Sequence, residues 1–259
     1  DYLSRMMTIP PSRMFMIKKG LAVYEQANPG SPIFDASQGD GGASLPGVPL
    51  TILEAANELQ IEHGTGYDSP YGADVFRRAV VEDYWQLDSD TGLGPQNVVA
   101  TVGGRDALIK AYMAALPVGT GRIGDVIAVS RVPWISYNWG PYGIGANVVL
   151  MPGEAQNGWA YTPEGIREAV AAAEKRGRQV AMLVITNPDN PTGLTISAER
   201  QAELAHAALE AGVRYVLFDW MYHYVTDEEP MDLNSFIKRF SPEERGRLMF
   251  LDGITKSLG

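Results

Sequence analysis

Short runs of apolar, largely β-branched residues punctuate the chain at 98–102, 126–129, 148–151, 180–186, 215–218 and 248–251. Each has the length and composition of a strand buried on both faces, not the strict alternation of a half-exposed one. Helical patterns separate several of these runs. Ala107, Leu108, Ala111, Tyr112 and Ala115 recur on one face. A second pattern, 163–175, starts with Pro163 behind Thr162, an N-cap and first-turn pair. A third, 197–211, has Ser197 as N-cap and is closed by Gly212. Residues 50–63 and 73–87 also read as helices. Strands that are apolar all round need cover on both faces, and alternating helices supply it. The expected fold is therefore α/β: a three-layer, mostly parallel sheet with helices on both faces.

The N-terminal region departs from this regularity. Pro10-Pro11, Asn28-Pro29-Gly30, Gly39-Asp40-Gly41-Gly42 and Pro46-Gly47 break up its first 45 or so residues, which read as an arm or linker and not as a packed element. Composition narrows the function classes. A net charge of −10 argues against a nucleic-acid-binding surface, which requires clustered Lys and Arg. The absence of cysteine excludes disulfides, thiolate metal sites and a cysteine nucleophile. No apolar run approaches the ~18 residues of a membrane-spanning helix, and no secretory signal is evident, so a cytoplasmic protein with no membrane partner is expected. The chain opens on Asp1 and not on Met, which suggests a trimmed start.

In open parallel sheets, ligands sit beyond the carboxyl ends of the strands. The segments just past the apolar runs are Gly103-Gly104-Arg105-Asp106, Arg131-Val132-Pro133-Trp134, Asn187-Pro188-Asp189-Asn190-Pro191-Thr192-Gly193, Asp219-Trp220-Met221-Tyr222 and Asp252-Gly253-Ile254-Thr255-Lys256-Ser257. Together they offer an anion cradle, an aromatic plate, an amide, an acid with a phenol, and a lysine. Pyridoxal phosphate has complementary needs. Its phosphate suits backbone N–H groups at a helix start, with Gly103 and Gly104 permitting close approach. Its pyridine nitrogen needs a carboxylate, for which Asp219 is the candidate. Its 3′-oxygen needs donors such as Asn190 and Tyr222, its ring a plate such as Trp134, and its aldehyde an amine, Lys256. Other signals are decoys. Gly119-Thr-Gly-Arg-Ile-Gly124 matches the dinucleotide pattern but comes after a helix and before a strand, the reverse of what that motif requires. His63, His206 and His223 lack ligand spacing, so no metal site is expected, and Asp227-Glu228-Glu229 reads as a solvated loop.

These motifs resemble those of the class I aminotransferases of the aspartate aminotransferase fold, the fold type I pyridoxal-phosphate enzymes. The resemblance is carried by Thr101-Val-Gly-Gly-Arg-Asp-Ala-Leu108, Asn187-Pro-Asp-Asn-Pro-Thr-Gly193, Asp219-x-x-Tyr222 and Thr255-Lys256-Ser257, with weaker matches at Tyr67-Asp-Ser-Pro-Tyr-Gly72 and Gly39. It implies an enzyme that moves an amino group between an α-amino acid and a 2-oxo acid through a Schiff base on Lys256. In that reading Asp219 pairs with the pyridine nitrogen, Asn190 and Tyr222 bind the 3′-oxygen, Trp134 stacks on the ring, and Gly103, Gly104 and Arg105 hold the phosphate. Gly39, with Trp134 and Asn190, would face the substrate. Tyr67 would reach the phosphate of a neighbouring subunit, implying a homodimer with shared sites. Residues 1–45 would form an N-terminal arm and part of a small domain, and 46–259 the large cofactor-binding domain.

Departures from the family's pattern bear on the substrate more than on the cofactor. Trp220 stands where many relatives have Glu, Arg105 where a small hydroxyl residue is frequent, and the loop around Gly39 lacks Glu-Pro. The same fold and cofactor serve lyases, synthases and decarboxylases, and a non-catalytic cofactor-sensing domain is a further alternative. Family members also continue past the Schiff-base lysine, adding a phosphate-binding arginine and a small domain with a carboxylate-binding arginine. Gly259 comes soon after Lys256, so a longer natural protein, or a break in the chain near Gly259, is expected.

Overall fold

The computed structural model describes residues 13–33, 47–64, 66–116 and 125–256. Its strands are β1 (Val126–Val129), β2 (Asn147–Leu150), β3 (Val180–Thr186), β4 (Tyr215–Asp219) and β5 (Leu248–Leu251). They form one sheet in the order β2-β1-β3-β4-β5, with every neighbouring pair parallel. The helices are α1 (Arg13–Ala27), α2 (Leu50–His63), α3 (Asp74–Ala79), α4 (Gly103–Ala115), α5 (Ile135–Gly143), α6 (Pro163–Glu174), α7 (Ala198–Glu210), α8 (Leu233–Ile237) and α9 (Pro242–Arg245).

Successive residues of a strand point to opposite faces, and the core divides accordingly. On one face, Val126, Ala128, Leu183, Ile185, Val216 and Phe218 pack with side chains of α6, α7 and α8. On the other, Ile127, Val129, Met182, Val184 and Leu217 pack with Leu108, Tyr112 and Ala115 of α4 and Tyr137 of α5. The expected three layers are present. The caps read from the sequence also form: Thr162 Oγ1 accepts from Gly165 N at 3.0 Å, and Ser197 Oγ accepts from Arg200 N at 3.2 Å.

Several expectations are corrected. Residues 98–102 pair with no strand among the described residues. Their backbone is tied by a bond from Ala100 N to Tyr71 O at 2.8 Å, and an apolar run without a neighbouring strand has no ladder to join. The irregular arm contains α1, whose side chains from Met16 onward are mostly exposed; with no buried stripe there is no 3.6-residue periodicity for the sequence to display. The pattern at 73–87 is α3 followed by a π turn, Val80–Tyr84. Helix α5 was not anticipated, because Gly140, Pro141 and Gly143 punctuate it as they would a loop.

The two-faced core gives a stability prediction. Phe218 is fully buried, stacked on Phe250 at 5.3 Å between centroids and edge-on to Phe236 at 5.0 Å. Phe218→Ala should cost about 3–5 kcal/mol, whereas Thr162→Ala, which removes one N-cap, should cost about 1 kcal/mol. Denaturant midpoints of the two variants check the ordering; similar losses would contradict this account of the core.

Candidate active site

Strand alternation decides where Asp219 points. Val216 and Phe218 face α6–α8, so Leu217 and Asp219 face α4 and α5. The Asp219 carboxylate is 4% exposed. Tyr137 Oη donates to its Oδ2 at 2.6 Å and Met221 N donates to its Oδ1 at 3.0 Å. Thr186 Oγ1, at the end of β3, donates in turn to Tyr137 Oη at 3.0 Å. Burial penalises the charged carboxylate and the nearby Asp252 adds repulsion, while the two donors favour charge; the balance pushes the pKa up from 3.8 to about 6.

A cavity of about 240 Å³ opens over this carboxylate. Its walls come from several strand ends: Gly104, Arg105 and Leu108 of α4, Trp134 after β1, Asn190 after β3, Met221 and Tyr222 after β4, and Thr255 and Lys256 after β5. Asn190 Nδ2 donates to Tyr222 Oη at 3.1 Å, so the amide and the phenol orient each other. Lys256 Nζ lies 5.9 Å from the Tyr222 ring centroid. The Arg105 guanidinium carbon stands 5.4 Å from the Trp134 ring centroid, within cation–π range. Trp134 is also edge-on to Tyr137, with centroids 5.5 Å apart.

The structure thus gathers Gly104, Arg105, Trp134, Asn190, Asp219, Tyr222 and Lys256 around one cavity. Gly103 opens α4 beside it with φ +77°, a conformation that favours glycine. At Gly104 a Cβ would meet Met221 Cε at 2.8 Å, the movable end of a flexible side chain. Tyr67 is not brought to the cavity and is fully exposed. Gly39 lies outside the described residues, as does Ser257. Tyr137 was missed by sequence reasoning. Its signal was a phenol shortly after Trp134, but the partner that gives it meaning, Asp219, is remote in the chain.

The donor set suits pyridoxal phosphate. A buried carboxylate with both oxygens already oriented can face a ring nitrogen, while Trp134 supplies a plate and Lys256 an amine. The first N–H groups of α4 have no partners inside the helix, as at any helix start, and could receive an anion.

The sequence profile of the family described as aminotransferase class I and II matches residues 34–259. The chain is 26% identical over 210 residues to an aspartate aminotransferase of Geobacillus stearothermophilus, covering 81% of this chain and 50% of that protein. It is 28% identical over 181 residues to an aspartate/prephenate aminotransferase of Thermus thermophilus, covering 70% and 44%. The chain therefore spans about half the length of these curated relatives. Among solved structures, the aspartate aminotransferase of Thermus thermophilus with maleate superposes with a TM-score of 0.72 at 25% identity, covering 96% of this chain and 59% of that one.

The raised pKa of Asp219 has a consequence for stability. An acid whose folded pKa exceeds its unfolded value stabilises the fold below the unfolded pKa, and that contribution is lost as pH rises through the folded one. Stability should therefore fall between about pH 4 and pH 6, by up to about 3 kcal/mol. Asp219→Asn should remove this part of the pH dependence. Denaturant unfolding across that range checks it; an unchanged slope in the variant would remove Asp219 as its source.

Proposed function

The chain belongs to the class I and II aminotransferase family, and on that premise we propose that the protein moves an amino group between an α-amino acid and a 2-oxo acid, with pyridoxal 5′-phosphate as cofactor. The observation that carries the proposal is the presence, in one cavity, of a buried carboxylate and a lysine amine, Asp219 and Lys256. When bound, pyridoxal phosphate supplies an aldehyde that an amine captures and a ring that takes up the electron pair released at a substrate α-carbon.

The chain's own residues would divide the remaining work. Lys256 Nζ would hold the cofactor covalently and later carry a proton to and from the substrate α-carbon. Asp219 would keep a proton on the ring nitrogen; a cation set against this buried carboxylate would draw its raised pKa back down. Tyr222 accepts from Asn190 and so keeps its own hydroxyl hydrogen to donate, and Asn190 retains a second amide hydrogen, which gives the ring 3′-oxygen two donors. Trp134, braced by Arg105 and Tyr137, would hold the ring flat. Backbone N–H groups of Gly103, Gly104 and Arg105 would bind the phosphate, with the Arg105 guanidinium adding a charge-assisted bond. Trp134 and Asn190, with Gly39, would border the substrate. Because the relatives are named for aspartate and prephenate, aspartate with 2-oxoglutarate is the first donor–acceptor pair to assay.

A homodimer with shared sites belongs to the same proposal. Leu50, Ile52, Leu53, Leu59 and Ile61 of α2 are exposed, as is Tyr67, and such an apolar surface favours association with a second copy. A cytoplasmic setting fits a chain without cysteine, whose fold needs no oxidising compartment.

Borohydride should fix pyridoxal phosphate onto the purified protein, with peptide mapping placing the adduct on Lys256. An adduct on Lys18, Lys110 or Lys238 instead would overturn the assignment. Asp219→Ala should still accept the cofactor but lose about 100-fold or more in turnover; near-normal rates would remove Asp219 from the chemistry. Light scattering should report a dimer, and a fully active monomer would refute the shared site.

A further inference from the structure

A second cluster of polar side chains lies outside these roles. Tyr84 Oη donates to Asp252 Oδ2 at 2.6 Å and lies 3.1 Å from His223 Nε2. His223 Nε2 is itself 3.2 Å from the same Asp252 oxygen. An ionised carboxylate only accepts, so Nε2 carries the hydrogen in this arrangement. Asp252 Oδ1 is also engaged, accepting from Gly253 N at 2.7 Å.

His223 is 1% exposed, and its Nδ1 is buried with no hydrogen-bond partner among the described residues. An unpaired buried nitrogen costs about 1–3 kcal/mol. An apolar side chain would avoid that cost, so packing alone does not explain a histidine here. Its ring is nevertheless held firmly. Trp85 stacks on it at 5.3 Å and 25°, and Tyr224 lies 4.1 Å away.

The placement of the cluster gives it meaning. His223 directly adjoins Tyr222, in the loop that begins at Asp219. Asp252 opens the short segment that ends in Lys256. The β4–β5 ladder ends at the pair Asp219 and Leu251, followed by a bond from Trp220 N to Leu251 O at 2.9 Å. Beyond that point no ladder among the described residues joins the two loops, and Tyr84, from a third segment, contacts both through His223 and Asp252. The π turn Val80–Tyr84, closed by Trp85 N on Val80 O at 3.0 Å, brings both Tyr84 and Trp85 to the loop after β4. Such turns recur at functional sites because the extra residue re-aims the side chains beyond it.

We propose that Tyr84, His223 and Asp252 form a positioning cluster that clasps the loop bearing Asp219 and Tyr222 to the segment bearing Lys256, and so sets how the lysine amine meets the pocket. None of the three contacts the reacting groups; apart from the charge repulsion between Asp252 and Asp219, they act through the loops they join. The inference rests on the reading of the pocket as a pyridoxal-phosphate site, and it makes the π turn a remote determinant of cofactor capture.

Tyr84→Phe, Asp252→Ala and Asp252→Asn test the clasp in two independent ways. In the protein stripped of cofactor, Tyr84→Phe and Asp252→Ala should speed amide hydrogen exchange about 10-fold in both 220–225 and 252–256 together, corresponding to one lost bond to a charged group. Exchange in β3 should stay unchanged, which shows that the variants are folded. On adding pyridoxal phosphate, the same two variants should bind it about 10-fold more weakly and give less borohydride-fixed adduct on Lys256. Asp252→Asn keeps one oxygen, enough for the Tyr84 hydroxyl but not for Gly253 N as well, and should fall between wild type and Asp252→Ala in both measurements. Exchange that changes in one segment only, or in neither, would overturn the clasp, as would an Asp252→Asn variant no better than Asp252→Ala. Absence of any Lys256 adduct in the wild-type protein would defeat the reading of the pocket, while the exchange result would still decide the clasp.

Discussion

A carboxylate removed from water at the end of β4 is the constraint around which the pocket is organised. Desolvating an ionised carboxylate costs several kcal/mol, and hydrogen bonds to charged groups return about 1.5–3 kcal/mol each. Asp219 has two, from Tyr137 Oη and Met221 N. They do not cancel the desolvation, which is why the pKa settles near 6 and not at its ordinary value. The same two bonds constrain their donors. Tyr137 anchors the first turn of α5 against the sheet, with Thr186 of β3 completing the chain of bonds, and the Met221 bond turns the backbone sharply after Asp219.

Sheet geometry delivers everything else to this carboxylate. Parallel strands all end on the same side, so the loops after β1, β3, β4 and β5 converge there, and the N-terminus of α4 faces the same space. Alternation then sorts neighbours: Asp219 enters the pocket layer, while adjacent Trp220 turns to the opposite face, where its Nε1 donates to Gln201 Oε1 at 2.9 Å. That burial of an indole with its N–H satisfied explains a large aromatic beside the acid. Tight packing reaches the pocket as well, since Met221 fills the space left by the missing side chain of Gly104.

The two ends of the pocket differ in how they are held. Asp219 sits on a strand with hydrogen-bonded neighbours on both sides and hardly moves without disturbing the sheet. Lys256 arrives on a 3₁₀ turn, Ile254–Lys256, past the last paired residue of β5. Short turns of this kind have weaker backbone geometry than strands. The lysine side therefore depends on contacts from outside the sheet, and Tyr84 with His223 and Asp252 supplies a set of them.

Elements that repeat a local rule were legible in the chain before folding was considered. The runs at 126–129, 180–186, 215–218 and 248–251 announce buried strands because both faces must be apolar, and Thr162 and Ser197 announce helix starts because a hydroxyl must satisfy free N–H groups. Most of the pocket was legible for a related reason. Parallel strand ends converge, so the residues just beyond each apolar run, Trp134, Asn190, Asp219, Tyr222 and Lys256 among them, share one end of the sheet. Features that depend on partners distant in the chain emerged only in the folded molecule. Residues 98–102 look like a strand, yet a ladder needs a neighbour; α1, mostly exposed from Met16 onward, lies in a stretch whose Pro and Gly residues make it read as a linker. Tyr137 and the Tyr84–His223–Asp252 cluster belong to the same class. A hydroxyl becomes a carboxylate's donor, and a histidine a clasp, only when folding brings together side chains that no local spacing relates.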